Sequence, residues 1–82
     1  MKVSIIKSKK EKNTFELARS VGVKVIELTK NEGVDNVIAE LIKNDYKNII
    51  LTNQVAGFSE DIIKKYGNSK DINIYIAPSK RN

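Results

Sequence analysis

Four short runs rich in β-branched residues alternate with segments of helical spacing along this chain, and the connections between them are short. Lys2 to Ile6, Val23 to Leu28, Asn48 to Thr52 and Ile72 to Ala77 read as strands, because Val and Ile fit a pleated, buried surface. Between the first two, Phe15, Leu17, Ala18 and Val21 recur at helical spacing, with Asn13 or Thr14 as cap and Gly22 where a left-handed residue closes a helix. Val34, Val37, Ile38, Leu41 and Ile42 form the clearest helical stripe, and Asn44 to Lys47 ends it. Ser59 can cap a third helix, with Glu60 and Asp61 in its positive first turn and Lys64 and Lys65 in its negative last turn, and Gly67 ends it.

The order is therefore β-α-β-α-β-α-β. Connections this short predict a parallel sheet wound by right-handed crossovers, in strand order 2-1-3-4, with helices on both faces in three layers. The apolar run of Asn48 to Thr52 marks a central strand buried on both sides, whereas the alternation of Ile72, Ile74 and Ile76 marks an edge. A chain of 82 residues makes one domain, residues 1–82, with 79–82 as a polar tail.

Cys and His are both absent, which removes disulfides, Cys- or His-based metal sites and thiol nucleophiles, so no cofactor is expected. No run reaches the roughly 18 apolar residues that span a bilayer, and the start has no signal-peptide core, so a cytoplasmic domain is expected. Ligands of such sheets bind at the loops beyond the carboxyl ends of the strands. A phosphoacceptor receiver would need acids there, where this chain has Lys7-Ser8 and Thr52-Asn53, and no glycine cluster for a nucleotide follows the first strand. Glu60-Asp61, the one adjacent acidic pair, more simply complements a helix dipole than performs acid-base work, and no enzymatic activity is expected.

Charge is distributed unevenly. Residues 1–12 carry five Lys against Glu11, Lys80 and Arg81 add two more cations, and residues 13–79 carry eight basic against nine acidic side chains. In the expected topology Lys7, Lys9, Lys10, Lys12, Lys80 and Arg81 share one sheet edge. Such a patch suits nucleic-acid phosphates or acidic helices of another protein, or is simply a solvated loop. In the loop after the third strand, Asn53, Gln54 and Val55 are contact candidates, while Phe58 is either a contact or a staple packed on Ile63.

Ile50-Leu51-Thr52-Asn53-Gln54-Val55-Ala56 and Ala77-Pro78-Ser79, with Phe15-Glu16-Leu17 at the start of the first helix, follow a known pattern. The chain resembles the F subunit of V-type and A-type rotary ATPases, a small Rossmann-like subunit of the central stalk. Two departures stand out: Lys7-Ser8 replaces the family's usual Gly-Asp, and the family usually continues beyond the Pro-Ser turn whereas this sequence ends at Asn82. The resemblance implies a non-catalytic subunit, peripheral to a membrane complex and monomeric on its own. It would clasp the coiled-coil D subunit and modulate ATP hydrolysis or ion transport, with Asn53, Gln54, Val55, Phe58 and Ser79 near that contact. A small basic RNA-binding or protein-docking module is the alternative.

Overall fold

The computed structural model describes residues 2–77. Its strands are β1 (Val3–Ser8), β2 (Lys24–Leu28), β3 (Asn48–Thr52) and β4 (Asn73–Ala77). Its helices are α1 (Glu16–Ser20), α2 (Val34–Lys43), α3 (Asn53–Ala56) and α4 (Glu60–Tyr66), and a single 3-10 turn, Asn31–Gly33, leads into α2. All strand pairs are parallel and the order is β2-β1-β3-β4, the Rossmann-like arrangement expected.

Register determines the two faces. Ser4 lies beside Lys24 and Ile49, and Ile6 beside Ile26 and Leu51, so Ile6, Leu28, Ile49 and Leu51 point to one side. There they pack with Val34, Ile38 and Leu41 of α2 and with Val55 and Ala56 of α3, and Ile63 of α4 closes the rim of this cluster. The opposite face carries Ile5, Lys7, Glu27 and Ile50, and its helix is α1, whose Arg19 reaches Glu27. A right-handed crossover from β1 leftward to β2 requires this placement, and the rightward crossovers to β3 and β4 require the other.

The α1 layer is thinner than the sequence suggests. The expected stripe Phe15, Leu17, Ala18, Val21 is not a buried face, because Leu17 and Val21 are 85% and 76% exposed. Five residues make little more than one turn, which lets one position, Ala18, settle toward the sheet. Neither Asn13 nor Thr14 is the cap: Phe15 holds that position in a left-handed conformation (φ 54°), and the Asn13 side chain accepts the Phe15 N–H at 2.9 Å. Asn13 thus closes an Asx turn one step before the helix, the competing use of a short amide side chain. Ser59 stands at the start of α4 as expected, but its buried hydroxyl donates back to the Ala56 carbonyl and caps no N–H.

The C-termini of α1 and α2 end alike. The Gly22 N–H donates to Arg19 O and the Val23 N–H to Ala18 O; the Asp45 N–H donates to Ile42 O and the Tyr46 N–H to Leu41 O. Both are Schellman closures that need a left-handed residue, supplied by Gly22 (φ 93°) and Asp45 (φ 69°). Glycine accepts that conformation without strain, whereas Asp45 carries both the Cβ clash and a carboxylate at the negative end of a helix. Asp45→Gly should therefore stabilise the fold by about 1 kcal/mol and Gly22→Ala destabilise it by about 1 kcal/mol, both read as shifted urea midpoints at unchanged slope. An added Cβ at Gly22 meets no atom within 4 Å, so the loss there isolates the backbone term.

Candidate carboxyl-end rim

Between β1 and β3 the chain departs in opposite directions, leftward to α1 and β2 and rightward to α3 and β4. The carboxyl ends of these two central strands therefore form the switch point at which open α/β sheets place their ligands. β1 delivers Lys7 and Ser8 to it, followed by Lys9 to Lys12, and β3 delivers Thr52, followed by Asn53 and Gln54 of α3.

A polar clasp organises this point. Glu11 turns its carboxylate inward, where Oε2 accepts the Ser8 N–H at 2.7 Å and the Thr52 hydroxyl at 2.7 Å. The loop after β1 is thus tied to the end of β3, and both Ser8 and Thr52 are buried. Lys7 is 1% exposed. Its ammonium donates to the Glu11 carbonyl at 2.9 Å and pairs with Glu27 of β2 at 3.3 Å. Glu27 is also 3.7 Å from Arg19 of α1, so one half-exposed carboxylate links β2 to both β1 and α1. A buried ammonium is tolerated only with such partners, and here it has one charge and one carbonyl.

This burial corrects two expectations. Lys7 does not belong to an exposed basic patch, because alternation along β1 turns it to the face that carries α1, where it is buried with Glu27 beside it in register and the Glu11 carbonyl on its ammonium. Val55 is not a contact residue, being fully buried in the main cluster. The segment expected as a loop is helical over Asn53–Ala56, and one turn of helix directs Val55 and Ala56 into the core while leaving Asn53 and Gln54 outside. Lys9, Lys10 and Lys12 are exposed, as are Asn53 and Gln54. Phe58 is 50% exposed, while Ile63, its expected staple partner, packs on the core. Ser79, Lys80 and Arg81 lie outside the described residues.

The rim as described is a band of exposed lysines and amides over a buried clasp. Sequence reasoning passed over Glu11 and Thr52, although a lone acid among five lysines was the signal that it serves the fold rather than the surface. A cavity of about 450 Å³ adjoins the rim, reached by Asn53, Gly57, Glu60, Lys64 and Ile76. A larger one, about 520 Å³, lies between β2 and α2 and touches none of the expected contact residues. Among the described residues no three His, Cys, Asp or Glu side chains are grouped to hold a metal ion, and no helix is long and apolar enough to cross a membrane.

The clasp has a measurable worth. Glu11→Ala leaves the Ser8 N–H and the Thr52 hydroxyl buried without an acceptor and should cost about 2–3 kcal/mol, whereas Thr52→Val removes one bond and should cost about 1 kcal/mol. In the double variant the second loss should largely vanish, a coupling that a urea-unfolding double-mutant cycle detects. No protein-family model matches the chain, and no curated protein matches it.

Proposed function

We propose that this chain is a docking subunit that grips a helical protein partner with the rim at the carboxyl ends of β1 and β3. The reading follows the resemblance to F subunits of rotary ATPases: the partner is a coiled-coil rotor subunit, and binding modulates ATP hydrolysis or ion transport by the larger complex. The observation that carries it is the juxtaposition of exposed Asn53 and Gln54 with the exposed lysines that follow β1, held together by the Glu11 bonds to Ser8 and Thr52. Amides and lysines on a rigid base suit the acidic and polar flank of a coiled coil, where complementary charge sets orientation and speeds encounter. Half-exposed Phe58 adds apolar area at the periphery.

The test is titration of the purified chain against the coiled-coil rotor subunit of the same host, by calorimetry. A dissociation constant of micromolar or tighter is expected. Gln54→Ala combined with Phe58→Ser should weaken it by about tenfold, roughly 1.4 kcal/mol, without shifting the unfolding midpoint. Heat no greater than dilution across the titration sinks the reading.

The exposure of Lys9, Lys10 and Lys12 favours one rival, a module that binds RNA phosphates. Affinity for structured RNA that falls steeply with salt, and that Lys9→Ala and Lys10→Ala weaken alike across sequences, would support the rival. Buried Lys7 contributes nothing to such a patch.

A further inference from the structure

The two edges of the sheet differ in kind. β2 carries Lys24 and Glu27, and both its ends are tied down, by the Val23 N–H to Ala18 O and by the Lys9 N–H to Leu28 O. Charged side chains on an edge strand are the usual protection against pairing with another strand. β4 has none of that protection: Asn73 to Ala77 contains no charged residue and no proline, and Tyr75 and Ile76 are 54% and 48% exposed. Every second residue of such an edge turns its N–H and C=O outward with no strand to receive them.

We propose that β4 is a self-association edge, where a second copy of this chain pairs antiparallel with the first across a two-fold axis normal to the sheet. Charge decides between a second copy and an unrelated peptide. The positive excess lies in residues 1–12 and at Lys80 and Arg81, so two copies repel where those segments meet, and an uncharged strand is where the copies meet at least cost. Beside that strand, Glu60 and Lys64 of α4 line the same cavity as Ile76 and are therefore turned toward the edge. α4 has its acidic turn, Glu60 and Asp61, at one end and its basic turn, Lys64 and Lys65, at the other. An antiparallel two-fold sets the two α4 helices side by side and head to tail, bringing the acidic turn of each copy against the basic turn of the other. The interface is self-complementary, as a two-fold requires. An unrelated extended peptide would gain the backbone bonds but has no such match written into α4.

The pairing is small, one short strand and one helix flank per copy, and belongs with transient contacts burying on the order of 1,000 Å². It extends the sheet and meets the carboxyl-end rim only at the cavity that Asn53 shares with Glu60, Lys64 and Ile76, and the two rims face opposite ways. It gives a place to weak self-association in a chain expected to be monomeric on its own, and its test needs no partner protein.

Sedimentation equilibrium of the full chain from about 10 to about 300 µM should show monomer passing into dimer, with a dissociation constant in the tens of micromolar. Ile76→Lys places a charge on the edge and should leave only monomer at an unchanged unfolding midpoint. Glu60→Lys and Lys64→Glu should each weaken pairing by about fivefold, yet an equimolar mixture should associate more strongly than either alone, because each then offers the other's missing charge. Misfolding cannot produce that recovery. A wild-type chain that stays monomeric at about 300 µM overturns the proposal. So does a mixture no stronger than its components, or dimerisation that survives Ile76→Lys and is lost on Leu17→Ser with Val21→Ser, which would assign the contact to α1.

Discussion

The pairing of β1 with β3 is the contact on which the rest of the molecule is arranged. It joins the strand that begins the fold to one more than forty positions later, and Ile6 against Leu51 at its centre are both fully buried. Once that pair exists, β2 and β4 have no place except the two outer positions, and crossover handedness then assigns each helix to its face. The same pair creates the switch point, because its two strands send their chains opposite ways. Glu11 reinforces the pair from outside the sheet, bonding the β1 loop to the last residue of β3 where ladder bonds have run out.

Fold class was legible because it rests on periodicity, which is local. The stripe Val34-Ile38-Leu41 and the continuous run of β3 each report burial by neighbours that need not be identified in advance. Gly22 was legible for the same reason, since left-handed closure is a property of one residue. The differences have both tertiary and local causes. Leu17 and Val21 have helical spacing with no surface beneath them, and the helix that buries Val55 is four residues long, too short to show a period.

Lys7 is the instructive case for the rim. Residue type places it with the other lysines, but strand alternation turns it to the face of the sheet that carries α1, with Glu27 20 positions away in sequence and adjacent in space. The buried lysine and the inward Glu11 form the support, while Lys9, Lys10, Asn53 and Gln54 form the surface. Composition alone cannot sort the two sets, because a charged residue near the end of a strand is equally suited to either.

One consequence of the slight α1 layer concerns how this sequence can change with descent. A segment from Lys9 to Gly22 that presses only Ala18 and part of Phe15 toward the sheet places little selection on its remaining apolar positions. The inward residues of β1, α2 and β3 are held by packing, so few substitutions fit there. Kinship would persist in those elements long after the exposed positions of α1 had drifted, with Glu11 and Gly22 the points of the intervening stretch that the fold still holds.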